Sequence, residues 1–402
     1  MNLGKMGLAG AALFALAAFE QHSGVMAAAG PLESGNRYSV LAPIESGNLL
    51  LFPVVLADGK SPDKTPFITL DEGIKSGQVE VTEAGKVRGL VRPRGDGPVQ
   101  DDSYRGDQVN TLVLLNNSNQ PLLLLAGEIV TGGKQDRIIA KDRIVPVGGD
   151  PIELSVFCIE HGRWTVSSST FGVAGKGSAG SLMVQPTVRQ QAMVSKNQQQ
   201  VWDSVHGAIS QMAIAAAPPA STSSRQMDGG MSRDSRSFST TSYAKVMQDK
   251  SVSEKVDEAA APVMKSRDQV LAKLREEHAI GVVVAVRGEI VWADLFADTE
   301  LLSRYWTKLV RSYAAESLSE GENHSKATTA DAQHFLDAPS GGAETSEGDV
   351  GVYRYRELRS GGTETFLLES LLPATGYDVH ISKLKLKGED RHAKSPSPQF
   401  FR

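Results

Sequence analysis

The chain has 402 residues, enough for about one to three domains and for a core that needs no disulfide or metal staple. A net charge of −5 excludes a global basic field for nucleic acid, and a single cysteine excludes an intrachain disulfide framework or a Cys-rich metal site. Hydrophobic residues at 40% and charged residues at 22% are slightly low for a wholly folded chain, so some of it is expected to be disordered.

The N-terminus carries the pattern of an export signal. Lys5 supplies a positive n-region, Met6 to Phe19 an apolar run, and Ala27-Ala28-Ala29 an A-x-A cleavage site before Gly30. The run is too short to span a bilayer, and no cysteine near the cleavage site offers a lipid anchor. Residues 1–29 are therefore expected to be a signal peptide. The mature protein is then secreted or periplasmic, with no membrane anchor after cleavage.

Residues 35–164 read as mostly strands. Asn48 to Leu56 is apolar with Pro53 inside it, which favours a sheet edge or a bulge. Phe67 to Leu70, Val79 to Thr82 and Val87 to Val91 follow. Val109 to Leu115 and Pro121 to Leu125 are apolar runs joined by Asn116-Asn117-Ser118-Asn119-Gln120, the pattern of a hairpin loop. Arg137 to Val147 and Ile152 to Ile159 complete the region. In the last of these, Ile152, Leu154, Val156 and Cys158 alternate onto one face, so Cys158 is expected in the core.

Residues 165–217 read as loop and helix, with Val201, Trp202, Val205 and Ile209 at helical spacing. Residues 218–261 are expected to be a disordered low-complexity insertion, because the Ser-rich run Ser221 to Thr240 has too little apolar surface to offset ordering entropy. Residues 266–386 read as helices and sheet. Ser266 to Gln269 forms a capping box, and Ile280 to Val286 has the continuous apolar run of a buried strand. Asp298 can cap a helix whose residues Leu301, Leu302, Tyr305, Trp306, Leu309, Val310 and Tyr313 make one apolar stripe. Thr328 or Thr329 can cap a shorter helix. Val350 to Leu358, Thr363 to Leu368 and Tyr377 to Leu386 read as strands, the first two joined by Ser360-Gly361-Gly362. Residues 387–402 are polar and expected to fray. The whole predicts an α+β fold over residues 30–386, mainly antiparallel sheets in a small sandwich or roll, with a few packed helices.

Three clusters can carry chemistry. Gly127 to Arg137 holds Glu128, the turn glycines Gly132 and Gly133, and then Lys134, Gln135, Asp136 and Arg137 at a sheet end. Cys158 to Trp164 adds Glu160, His161, Arg163 and Trp164 where a strand runs out. Asp294 sits among apolar neighbours and, if buried, needs a partner such as Arg304 or Lys308. Tyr353 and Tyr355 face one way and Arg354 and Arg356 the other, the pattern of a core face and a solvated face. Gly175 to Gly180 matches G-x-G-x-x-G but follows no clear strand, Pro186 is expected to interrupt any helix after it, no suitable acid lies about 20 residues on, and no G-x-S-x-G elbow occurs.

Leu125 to Arg137, Val156 to Trp164 and Gly281 to Phe296, with the helix Leu301 to Tyr313, resemble the ARG and rhodanese/phosphatase-superfamily-associated protein domain. The resemblance runs from about Ser34 to Leu386, which makes the Ser-rich stretch an insertion within one domain. It implies an α+β domain with a sensing or recognition role and transfers no catalytic residue, cofactor or metal. It implies that Gly132, Gly133, Gln135, Asp136, Arg137, Glu160, His161, Arg163 and Trp164 matter together, for folding or for binding. The expectation is an exported, non-enzymatic module for a small polar or anionic ligand or a protein partner. Arg137 and Arg163 would be forked donors and Trp164 a stacking face. The alternatives are a metal-assisted or acid/base hydrolase using Glu128, Asp136, Glu160 and His161 as acid/base groups or metal ligands, and a purely structural domain.

Overall fold

In the computed structural model the described residues are 37–58, 66–83, 110–148, 150–163, 165–175, 181–217, 238–264, 267–321, 324–373 and 378–386. The expected signal peptide, the Val87–Val91 strand, Trp164, the Ser266 cap, nearly all of the glycine-rich loop, most of the Ser-rich run and the C-terminal tail lie outside them.

The chain opens with β1 (Tyr38–Val40), β2 (Ile44–Ser46), β3 (Leu49–Leu56), β4 (Ile68–Thr69) and α1 (Leu70–Lys75). Strands β5 (Val79–Glu83), β6 (Thr111–Asn116), β7 (Leu122–Leu124), β8 (Ile129–Thr131) and β9 (Arg137–Ile139) follow, then β10 (Arg143–Val145), β11 (Ile152–Cys158) and β12 (Gly172–Val173). A helical stretch comes next. It comprises α2 (Pro186–Gln190), a π-helical turn over Gln191–Ser195, α3 (Gln198–Ala216), α4 (Tyr243–Gln248), α5 (Lys250–Met264) and α6 (Arg267–Glu276). The remainder is β13 (Ala279–Val286), β14 (Glu289–Phe296), α7 (Thr299–Ser317), α8 (Thr329–Asp337), β15 (Ala343–Asp349), β16 (Tyr353–Ser360), β17 (Thr363–Ser370) and β18 (Asp378–Lys385).

These elements give an α+β fold in which nearly all strand pairs are antiparallel. A nine-stranded sheet runs β1-β3-β13-β14-β18-β17-β16-β15, with β2 also on β3. A six-stranded sheet runs β12-β8-β9-β11-β6-β5, and a three-stranded one β10-β7-β4. The large sheet joins both ends of the chain, because β3 pairs with β13 and β14 with β18. Both of its faces are covered at the centre. Leu49, Leu51, Val282 and Val284 pack with the α7 stripe, whereas Leu50, Phe52, Val54, Val283 and Ala285 pack with Phe335 and Leu336 of α8. Burial on both faces is why β13 is apolar throughout rather than alternating. Pro53 falls where the outer neighbour of β3 changes from β2, paired over Leu49–Leu51, to β1, paired over Val54–Leu56.

Caps fall where the side chains require them. Asp298 accepts from the Leu301 amide at 2.7 Å and starts α7, and Thr328 forms a capping box with Asp331 to start α8. Three expectations are corrected. First, residues 238–261 are not a disordered insertion. Ser242 caps α4, and Tyr243, Val246, Met247, Val252, Val256 and Ala260 are buried on the core side of α4 and α5. The low-complexity composition ends near Thr240, and apolar residues at helical spacing take over from there. Second, β6 and β7 do not form a hairpin: they belong to different sheets. The Asn116 amide donates to the carbonyls of Gln120, Val145 and Pro146, which turns the chain out of the six-stranded sheet toward β10. Third, Pro186 opens a helix instead of interrupting one, since the first helical position needs no amide hydrogen.

Candidate functional site

The strand-end residues do come together, and they bond chiefly to one another. Gly132 and Gly133 turn with φ of +142° and +50°, and a Cβ on Gly133 would collide with Glu83 Oε1 and the Phe171 ring. Gly127 also has positive φ, +86°, at the preceding turn. The Gly132–Gly133 turn points two carbonyls at Arg163, whose Nη1 donates to Gly133 O at 3.0 Å and whose Nη2 donates to Gly132 O at 3.4 Å. The same guanidinium reaches Glu160 Oε2 at 2.6 Å and Asp136 Oδ1 at 3.3 Å.

The two carboxylates then pin the segment that begins α4. Ser242 Oγ donates to Asp136 Oδ2 at 2.7 Å, and Lys245 Nζ donates to Glu160 Oε1 at 3.1 Å. The Tyr243 amide donates to Ile159 O, and Thr241 Oγ1 donates to His161 O. Burial pushes the Asp136 carboxyl above its ordinary range, against the pull of Ser242 and Arg163. Burial also acts on Glu160, but the hydrogen bonds from Arg163 and Lys245 outweigh it and hold that carboxyl below the ordinary range.

The other expected site residues lie apart from this latch. Arg137 is buried, with Nη1 3.4 Å from Gln135 Oε1 and 3.5 Å from Asp136 O. It is not an open anion fork, and the Gln135 amide nitrogen is buried without a hydrogen bond. The His161 ring is exposed and lies edge-on to Trp202, with ring centres 4.7 Å apart. Glu128 belongs to a different cluster, where Lys308 Nζ sits 2.6 Å from both Glu128 Oε1 and Asp71 Oδ2. Glu128, Asp136, Glu160 and His161 therefore do not converge on one point. Cys158 faces the core as expected, and burial pushes its thiol up to about 11. Arg354 and Arg356 pair with Glu369 and Glu344. Among the described residues, no three His, Cys, Asp or Glu side chains are grouped to hold a metal.

The most heavily buried polar network escaped the sequence reading. Asp294 pairs with Arg189 and not with Arg304 or Lys308: Arg189 Nη1 donates to Asp294 Oδ2 at 2.9 Å. Arg304 turns instead to Glu72 on α1, and Lys308 to Asp71 and Glu128. Ser382 Oγ donates to Asp294 Oδ1 at 2.8 Å, and the Tyr313 hydroxyl also donates to Asp294. His380 bridges two carboxylates. Its Nδ1 lies 2.6 Å from Asp142 Oδ2, and its Nε2 lies 3.2 Å from Asp294 Oδ1 without hydrogen-bond alignment. Asp142, Asp294 and His380 are all fully buried. Burial opposes charge on His380, but the two aspartates raise its pKa above the usual histidine value. The available signal was a lone Asp and a lone His inside apolar strands, but Asp142 and Arg189 come from segments that no local pattern connects to them.

This network backs the wall of a cavity. Alternation on β14 puts Trp292 and Asp294 on one face, and the Arg189 guanidinium stacks 4.8 Å from the centre of the Trp292 ring. Trp292, with Pro186, Thr187, Gln190 and Glu316, lines a cavity of about 220 Å³ that opens toward Glu289 and Lys385. Glu289 and Lys385 are paired at 2.7 Å and partly exposed. Glu316 accepts from Gln185 Nε2, the Thr187 amide and the Thr187 hydroxyl. The Trp292 Nε1–H is buried and has no acceptor among the described residues.

The model of one family, described as "ARG and Rhodanese-Phosphatase-superfamily-associated Protein domain", matches residues 37–384, from β1 to β18. The chain belongs to this family. The match takes in the latch, the buried network and nearly all of the cavity lining, so all three are parts of one ARPP-1 domain. No curated protein and no solved structure matches the chain.

Proposed function

We propose that the protein is an exported, non-catalytic binding module that takes a small polar solute in the cavity beside Trp292. One observation carries the reading. The cavity wall is held by a fully buried ionic network, so it is pre-organised, and it keeps polar groups turned to an open space. The strand-end cluster serves instead as a latch: Asp136 and Glu160 are engaged by Ser242, Arg163 and Lys245. A second feature supports the cavity. The helix that walls it runs straight into a π-helical turn, a local distortion that recurs at functional sites. Export rests on Lys5, the Met6–Phe19 run and Ala27-Ala28-Ala29. Among the described residues no helix is long and apolar enough to cross a membrane.

The test is a thermal-shift screen of residues 30–402 against sugars, nucleotides, carboxylates, amines and amino acids. A solute that binds the folded state raises the Tm with concentration. The expected result is a shift that is lost in Gln190→Phe, which fills the cavity. A shift that survives this filling, or no shift with any class, counts against the reading.

A further inference from the structure

We propose that the outer edge of β15 docks a second copy of this chain, joining two nine-stranded sheets in a symmetric dimer. β15 ends its sheet. It pairs with β16 alone, over seven residues in one unbroken register, and all but Asp349 are exposed. The phase of the ladder shows which backbone groups face out. The Leu371 amide donates to Val352 O, which sets the even residues of β16 toward β17 and the odd ones toward β15. By register, Ala343, Thr345, Glu347 and Asp349 bond inward, while Glu344, Ser346 and Gly348 turn their amides and carbonyls outward. Among the described residues, no strand meets those outward groups. Sheet edges are ordinarily blunted by a proline, a lysine, a bulge or a covering element, and β15 has none of these.

The charges on the strand decide the occupant. Glu344 is paired with Arg356 at 2.7 Å, Glu347 with Lys141 at 2.7 Å and Asp349 with Arg143 at 2.8 Å. A basic segment therefore gains little here, and the edge calls mainly for backbone partners. An identical strand supplies them. With Ser346 opposite its own copy, Glu344 meets Gly348, Thr345 meets Glu347 and Ala343 meets Asp349. Every outward amide and carbonyl is then bonded, and no like charges stand directly opposed. The same register carries Val350, fully exposed at the hairpin tip, toward Gly342 of the copy, where no side chain stands in the way. Such self-pairing closes on a two-fold axis, so association through β15 stops at two. A strand of this length spans only about 24 Å, so the dimer is reversible.

Sedimentation velocity of the full chain across a hundredfold concentration range tests this. A reversible monomer–dimer equilibrium is expected. Ser346→Pro removes an outward amide and no bond to β16, so it should weaken association at least tenfold with little change in Tm. Ser346→Cys reads the register. Opposed Cα atoms in a bonded pair lie about 5.5 Å apart, within disulfide reach, and the native Cys158 is buried. Mild oxidation should therefore link Ser346→Cys into a covalent dimer at least tenfold faster than Glu254→Cys, at an exposed site on α5. A monomer at every concentration, a dimer that Ser346→Pro leaves unchanged, or equal cross-linking at the two sites overturns the proposal. If Ser346→Pro fails to fold, the two cross-linking rates decide.

Discussion

Asp294→Asn is the sharpest probe of the buried network. The substitution keeps the shape of the side chain and removes its charge. Both carboxylate oxygens are engaged in the native protein, Oδ2 by Arg189 and Tyr313, Oδ1 by Ser382 with His380 alongside. Burial alone would favour the neutral acid, but Arg189 and His380 hold the carboxyl far below the usual carboxylate range. An amide presents an N–H₂ to groups that are already donors, and it leaves the Arg189 cation buried against one fewer anion. Breaking a buried pair in this way costs about 3–5 kcal/mol. For a domain of about 350 residues the unfolding entropy is about 0.7 kcal/mol/K, so the Tm should fall by about 4–7 °C. Calorimetry and urea unfolding at pH 7 read both quantities, with the exposed Glu254→Gln expected within about 0.5 kcal/mol of the parent as control. Arg189→Met in the same background should be strongly non-additive. A Tm drop below about 1 °C, or simple additivity with Arg189→Met, would refute the view that these charges act as a unit.

Four further outcomes follow from the same structure. His380 has a folded-state pKa raised above its unfolded value, so its stabilisation is complete below about pH 6.5 and fades as pH rises through the folded-state value. His380→Gln should therefore be less stable than the parent at pH 6 and converge on it in alkaline buffer, as followed by urea midpoints. Ser242→Ala removes both the α4 cap and the bond to Asp136 and should cost about 1–2 kcal/mol, whereas Lys245→Ala, whose side chain is 58% exposed, should cost at most about 1 kcal/mol in the same assay. Lys308→Met leaves Glu128 buried without its cation and should lower stability by about 3–5 kcal/mol; Glu128→Gln in that background should recover part of the loss. Gly133→Ala meets both a left-handed φ and the Phe171 ring, so it should cost about 2 kcal/mol or more and shift the near-ultraviolet dichroism of the latch region.

What the sequence made legible is what local chemistry determines. The β13 run, the Asp298 and Thr328 caps, the α7 stripe, the hairpin between β16 and β17 and the inward face of Cys158 are each written within about twenty consecutive residues. The strand-end cluster was legible as a cluster, because the Gly132–Gly133 turn and the Glu160–Arg163 strand end both carry polar groups at a sheet end. Its role was not: the partners that engage it, Ser242 and Lys245, lie in a stretch whose neighbouring composition suggested disorder. The partner of Asp294 was misjudged for a related reason. Arg304 and Lys308 are near in sequence, but α7 turns them toward α1 and Glu128, and Arg189 arrives from α2. The Asn116–Gln120 loop has the composition of a hairpin, yet the choice of partner strand is made by contacts to Val145 and Pro146. The cavity had no sequence signature at all, since its walls come from α2, α7, β14 and β18.

The pairing of β3 with β13 sets the order in which the protein can fold. Leu51 faces Val284, and β14 waits in turn for β18, whose last residues close the domain. Contacts so distant along the chain must overcome a large loop-closure entropy before they contribute stability, which makes folding slow. During synthesis the apolar strand Leu49–Leu56 emerges with β1 and β2 to pair one of its edges, but its other edge stays open and aggregation-prone until β13 has been made. On the export proposed above, a nascent chain that closes its main sheet late would stay threadable for longer.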